Sequence, residues 1–251
     1  KKGTLIAVVR GTKASDVIKI LKQLPEEKRL AVKEVTMDYS DSMHAIVEAA
    51  FPKADITIDV FHVIKNQCDA LDELRMRFKR KAISEQGKEK AEFNKAKKRR
   101  KKAREYYRKT HPRKRGENRG RKRKRANKQF KPNELANGDT KVELFTRARH
   151  ILSKSGEKWS ESQKTRAELV FGFAPQIRKA HSLVCKLRCI FKNKKLSKET
   201  AREKLKVWYK EVSESNIKEL IAAKRTLNAK EEDLLNYFVN HATNAAAESL
   251  N

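Results

Sequence analysis

The chain has 251 residues and carries 62 Lys and Arg against 32 Asp and Glu, a formal net charge of +30. Its length allows one large domain or two ordinary ones with a real core, and no apolar run approaches the roughly 18 residues that a membrane span requires. So large a positive excess favours nucleic acid as the partner, although ribosomal and membrane-surface proteins can be equally basic.

Residues 1–66 alternate between two hydrophobic periods, one typical of buried strands and the other of amphipathic helices. Strands are predicted at residues 4–10, 32–38 and 54–62. Helices are predicted at residues 13–24, from Pro25 onward and at residues 41–51. Strands and helices that alternate at this spacing predict an α/β sheet with parallel neighbours.

From residue 63 onward the pattern is helical, and it is interrupted by a basic tract at residues 79–128. The first half of the tract has helical residues, whereas Pro112, Gly116 and Gly120 predict a loop or disorder in the second half. A run of charge can be a solvated face, but one of nearly single sign repels itself unless a polyanion neutralises it, so DNA contact is favoured. Residues 141–251 are predicted to be helical throughout, with Ser197 and Asn228 as N-caps.

Three cysteines occur, Cys68, Cys185 and Cys189. The C-x-x-x-C pair lacks the second pair of ligands that a zinc site needs. Free, half-buried thiols in a reducing cytoplasm are therefore the preferred interpretation.

Two predicted strands end in a carboxylate, Asp38 and Asp59. Sites in open α/β sheets form at the carboxyl ends of strands, and carboxylate oxygens are the ligands that Mg²⁺ prefers. Either residue could instead cap the helix that follows, and Ser40 or Asp41 could also cap the helix after Asp38.

Near the C-terminus, Asn244, Glu248 and Asn251 recur at spacings of four and three and would share one helical face. An acidic residue on a turn of small residues can closely approach a backbone or a nucleic acid. A surface glutamate on a terminal helix is the alternative.

Two segments, "VTMDYSDSMHAIVEAAFPKADITIDVFHVIKN" and "RTLNAKEEDLLNYFVNHATNAAAESLN", resemble a DDE transposase of bacterial insertion sequences, of the ISL-three group. The helical stretch at residues 149–191 is similar to the same family. The most specific features are Asp-x-x-His after the last predicted strand and "TN-x-x-x-E-x-x-N" at the end.

The resemblance implies an α/β fold, a ribonuclease-H-like sheet with a large all-helical insertion. Residues 1–66 would be a partial catalytic core with strands three to five at 4–10, 32–38 and 54–59. Residues 67–240 would be the insertion, including the basic tract, and residues 241–251 the terminal core helix. The family's first Asp has no counterpart, so the resemblance predicts an N-terminally truncated chain, inactive alone.

The resemblance also implies the site. Asp38 and Glu248 would be catalytic ligands of two Mg²⁺ ions, for which Mn²⁺ could substitute. Asp59, His62, Asn244 and Asn251 would be supporting residues.

The partner would be DNA, both element ends and target, bound by a homo-oligomer in the cytoplasm. The basic tract would hold DNA phosphates through Lys98, Arg99, Arg100, Lys101, Lys102, Arg113, Lys114, Arg115, Arg121, Lys122, Arg123, Lys124 and Arg125. A non-catalytic nucleic-acid-binding protein and a degraded transposase copy are the alternatives.

Overall fold

Two short parallel strands, β1 (Glu34–Met37) and β2 (Asp55–Ile58), form the sheet in a computed structural model that describes residues 6–112 and 129–244. They pair in register from Glu34 opposite Asp55 to Met37 opposite Ile58. Helix α1 (Ala14–Leu21) and helix α2 (Glu26–Leu30) precede β1, as the sequence predicts. The parallel pairing of neighbours is confirmed.

The strand predicted at residues 4–10 is wrong for the part that is described. Residues 6–9 form no regular element, and Ile6 and Val8 are 71% and 80% exposed. A β-branched apolar run becomes a strand only when another strand takes up its backbone hydrogen bonds. Among the described residues nothing pairs with this run.

Helix α3 (Asp41–Ala50) connects the two strands and packs against α1. The hydroxyl of Ser40 accepts a hydrogen bond of 3.2 Å from the backbone N–H of Met43, so Ser40 is its N-cap. Its buried face consists of Ile46, Val47 and Ala50. Both the predicted helix and one of its predicted caps are confirmed.

Helix α4 (Val60–Thr110) is 51 residues long and begins directly after β2. The strand predicted to extend to His62 therefore ends at Ile58, because Asp59 caps a helix there. The buried side chains of α4 lie between Val63 and Ala82, and beyond Ala82 its residues are largely exposed. The first half of the basic tract is thus helical, as predicted. The helix ends at Thr110, two residues before Pro112, and residues 113–128 lie outside the described residues.

Most of residues 141–240 form further helices. Thr140 with Glu143 and Ser160 with Gln163 form capping boxes, and Ser197 accepts from Thr200 N–H as predicted. Asn228 is not a cap, because the helix that contains it continues to Ala229. These helices are α5 (Lys141–Arg147), α6 (Arg149–Leu152), α7 (Glu161–Phe173), α8 (Pro175–Lys192), α9 (Lys198–Glu214), α10 (Lys218–Ala229), α11 (Glu231–Leu235) and α12 (Tyr237–Asn240).

The core is helical, and the first half of α4 lies against α8 and α10. Trp208 of α9 is buried and donates its indole N–H to the Leu183 carbonyl of α8 at 2.8 Å. Arg75 of α4 is also buried, and its charge is satisfied by Asp72 and by the Phe145 carbonyl at 2.8 Å. The buried polar groups of Trp208 and Arg75 thus both have partners, which offset the cost of taking them out of water.

The helix predicted to run to the C-terminus ends earlier, at Asn240. His241 adopts a left-handed backbone conformation, with φ of 56°, and its Nε2 lies 3.1 Å from the Lys194 carbonyl. The Asn240 side chain accepts from the N–H of Ala242, a local bond that competes with the helical one. Residues 241–244 are therefore not helical, and the predicted helical face shared by Asn244, Glu248 and Asn251 falls mostly outside the described residues.

Within the described residues the three cysteines are free thiols. None of the helices there is both long and apolar enough to span a membrane.

Candidate active site

Asp38 and Asp59 follow β1 and β2 directly and emerge at the same edge of the sheet. The strands are parallel and Met37 pairs with Ile58, so the residues that follow them are neighbours. The backbone N–H of Asp59 donates to the Met37 carbonyl at 2.9 Å, which continues the strand ladder by one bond. The two carboxylates are thus held side by side by the backbone itself.

The two aspartates differ in exposure. The side chain of Asp38 is 49% exposed and that of Asp59 only 4%. Asp59 caps α4 by accepting a hydrogen bond of 3.2 Å from Phe61 N–H. Asp38 caps no helix, since Ser40 takes that role. The alternative of capping therefore applies to Asp59 and not to Asp38.

His62 lies between the two carboxylates. Its Nδ1 is 3.3 Å from Oδ1 of Asp38 and 3.3 Å from Oδ2 of Asp59. One ring N–H donates to only one oxygen at a time, so the two carboxylates compete for the same donor. The imidazole thus lies within polar contact of both carboxylates.

A third contact comes from the far end of the chain. Asn244 donates from Nδ2 to Oδ1 of Asp38 at 3.0 Å. Both neighbours of Asp38 therefore use Oδ1, and Oδ2 makes no hydrogen bond or ion pair with any described residue. Oδ2 is therefore the Asp38 oxygen that these contacts leave available to a ligand.

Two further asparagines connect the helices to the sheet, and the sequence analysis missed both. Asn236 donates to the Ile56 carbonyl of β2 at 2.8 Å, and Asn240 donates to the carboxylate of Glu34 on β1. With Asn244 they recur every fourth residue. That N-x-x-x-N-x-x-x-N spacing is the signal that could have found them, although it does not reveal which strand each one meets.

Among the described residues, one carboxylate is suited to bind a hard cation, but the full set of ligands that a metal site needs is not present. Oδ2 of Asp38 has the right chemistry and exposure. Asp59 is buried and already engaged. In residues 6–112 and 129–244 no group of three or more His, Cys, Asp or Glu is arranged to hold a metal ion. Glu248 and Asn251, the other predicted site residues here, lie outside the described residues.

The predicted DNA-binding residues divide between two segments. Lys98, Arg99, Arg100, Lys101 and Lys102 lie on the exposed half of α4. The others lie outside the described residues: Arg113, Lys114, Arg115, Arg121, Lys122, Arg123, Lys124 and Arg125.

Two features of the structure are suited to a protein that acts on nucleic acid. The two parallel strands end in adjacent carboxylates, and the helical body carries a long basic helix. Comparison with family models gives the class: a model described as transposase, DDE_Tnp_ISL3, matches residues 1–251. The chain belongs to this family, and the resemblance drawn from the sequence is confirmed. Neither the curated proteins nor the solved structures gave a significant match.

Proposed function

We propose that the chain supplies part of the active site of a DDE transposase, an enzyme for the metal-dependent cleavage of DNA at the ends of an insertion sequence and the transfer of those ends to a target. The observation that carries the proposal is the environment of Asp38. It stands at the carboxyl end of a parallel strand with one oxygen fixed by Asn244 and His62 and the other open.

A ribonuclease-H-like core is the proposed fold of the catalytic part. Strands β1 and β2 would be its fourth and fifth strands, and residues 67–240 an insertion between Asp59 and Glu248. The return of Asn236, Asn240 and Asn244 to the sheet supports this division, since it brings the end of the helical body back to Asp38. The assignment of residues 4–10 to the third strand is not retained.

In the proposed site Asp38 and Glu248 would each supply oxygens to two Mg²⁺ ions, with a third carboxylate that the described residues do not supply. If bound, such ions would supply Lewis-acid activation of a water or a 3′-hydroxyl and charge stabilisation at the leaving oxygen. The protein's part is to present Oδ2 of Asp38 in a fixed direction. Asn244 and His62 do this from one side, and buried Asp59 holds His62.

The test is the transposition frequency of the element that encodes the chain, measured by mating-out. Asp38→Asn should lower it about a thousandfold, since a metal ligand is worth several kcal/mol in the transition state. Asn244→Ala should lower it about ten- to a hundredfold, as is typical of residues that orient a ligand. Asp55→Asn, at the exposed opposite end of β2, is the matched control and should leave it unchanged.

DNA affinity, measured on the same variants, should not change. A transposition frequency of Asp38→Asn equal to that of the wild type would refute the proposal. An element that does not move even with a complete transposase that contains the unchanged chain would favour the alternatives, a degraded copy or a non-catalytic DNA-binding protein.

A further inference from the structure

Helix α4 connects the candidate site to the basic tract without a break. Asp59 and His62 lie at its first turn, and the helix continues to Thr110. At a rise of about 1.5 Å per residue, its 51 residues have a length of roughly 75 Å. Long helices curve only gently, so the two ends of α4 are far apart in space.

The segment 95–109, here called the basic arm, lies at the far end. It contains ten Lys and Arg and one acidic residue, Glu105. All of its residues are exposed, and its one ion pair among the described residues is Lys101 with Glu105 at 4.0 Å. A helix this charged has no apolar face to bury and repels itself, so a polyanion is the partner that its chemistry fits.

Basic side chains surround most of the arm. Successive residues are rotated by about 100° around a helix axis, which spreads the basic side chains over roughly 260° of the circumference. One group contains Lys97, Arg100, Lys101, Arg104 and Arg108, and a neighbouring group contains Lys95, Lys98, Arg99, Lys102 and Lys109. Phosphates can therefore be contacted from most directions around the helix axis.

We infer that the basic arm is a duplex-DNA contact remote from the active site and that α4 fixes the distance between them. From His62 to the arm the helix advances by about 50 to 70 Å. At about 3.4 Å per base pair this corresponds to roughly 15 to 20 base pairs. A single duplex that contacts both the candidate site and the basic arm must therefore extend at least about 15 base pairs from the point where it meets Asp38. The inference rests on the proposed function for the location of that position.

The experiment uses two exposed aromatic residues of α4, Phe61 beside the site and Tyr106 on the arm, which are 60% and 71% exposed. Each is replaced by the photocrosslinker p-benzoylphenylalanine in the full chain. The probe is a 40-base-pair duplex with one open end and the other closed by a hairpin. Phe61→p-benzoylphenylalanine should crosslink within a few base pairs of the open end, and Tyr106→p-benzoylphenylalanine about 15 to 20 base pairs inward.

Two controls fix the interpretation. Val207, an exposed residue on α9, should give no crosslink when replaced in the same way. Changing residues 98–102 to Gln should abolish the Tyr106 crosslink and leave the Phe61 crosslink, because these side chains support no packing.

Absence of a Tyr106 crosslink, or crosslinks from both positions at the same base pairs, would overturn the inference. Tyr106 crosslinks without any Phe61 crosslink at the open end would instead count against the proposed function and support DNA binding by the arm. Failure of the two proposals is thus distinguishable.

Discussion

At the end of β2, the side chain of Asp59 has one oxygen on the backbone N–H of Phe61 and the other near Nδ1 of His62. The first contact satisfies one of the N–H groups that the start of a helix leaves without a partner. The second fixes the ring beside Asp38. A nearly buried carboxylate with both oxygens engaged acts on its neighbours, not on a substrate.

Asp59→Ala should lower the free energy of unfolding by about 1 kcal/mol through loss of the cap, whereas Asp59→Asn should lower it by only a few tenths. The reason is that an asparagine oxygen can still accept from Phe61 N–H. Urea denaturation measures both values. Equal losses in the two variants would show that the charge and not the cap contributes the stability.

At the scale of elements, Asp139 fixes the segment 129–140 to the helical body. Its buried carboxylate pairs with Arg147 of α5 and with Arg166 of α7, whose Nε lies 2.8 Å from Oδ2. Asn137 donates to the same oxygen at 2.7 Å. Burial by itself would raise the pKa of Asp139, but the hydrogen bond and charge of Arg166, with Asn137 and Arg147, lower it below its ordinary value of 3.8.

Asp139→Asn should lower the free energy of unfolding by roughly 1 to 3 kcal/mol at pH 7, because two guanidinium groups lose their anionic partner and only one of the two acceptor oxygens remains. A carboxylate with a lowered pKa contributes its stability above pH 3.8, and this contribution is lost as the pH falls through the folded value. The difference between variant and wild type should therefore shrink as the pH is lowered from 5 to 3.

Urea denaturation across that range provides the measurement. Glu168→Gln, which breaks the exposed pair with Arg178, is the control and should change stability by less than about 1 kcal/mol. If the difference in free energy of unfolding between Asp139→Asn and the wild type stays constant down to pH 3, the assignment of the lowered pKa to this cluster would be contradicted.

The elements differ in how far the sequence could predict them. Helix α3 and strands β1 and β2 were predictable, since Ser40, Pro52 and β-branched runs act within a few residues. The run at residues 4–10 has the same local character, yet a strand also needs a partner, which is a long-range property. The end of α12 depends on His241 contacting Lys194, a contact between distant segments that no local pattern reports.

The candidate site likewise combines local features, which the sequence could predict, with long-range contacts, which it could not. The spacing Asp59-x-x-His62 and the position of Asp38 at a strand end were visible in the sequence. That Asn244 meets Asp38, across 206 residues, required the fold. Asn236 and Asn240 were missed because hydrogen bonds to Ile56 and Glu34 depend on packing, not on local composition.

At the scale of the whole molecule, the positive charge should determine how DNA affinity depends on salt. Each phosphate contact contributes about 0.9 to the slope of log K against log salt concentration. Changing Lys98, Arg99, Arg100, Lys101 and Lys102 to Gln should reduce that slope by up to about 4 to 5, as measured by fluorescence anisotropy on a duplex at several salt concentrations. The midpoint of thermal unfolding should not fall, because these side chains are exposed.

The matched control removes the same charge elsewhere, at five exposed lysines outside the arm: Lys13, Lys19, Lys22, Lys206 and Lys210. It should reduce the slope by much less. Equal reductions in the two variants would mean that net charge, and not the arm, governs binding.

The two halves of α4 also differ in how they can change during evolution. Losing one residue from the buried half would turn every following side chain by about 100° and remove Leu71, Leu74 and Arg75 from their partners. Losing one from the arm would only shorten it by about 1.5 Å and present another basic side. Insertions and deletions should therefore accumulate in the arm, so that related proteins can differ in how far the arm extends while the end of α4 at the candidate site stays alike.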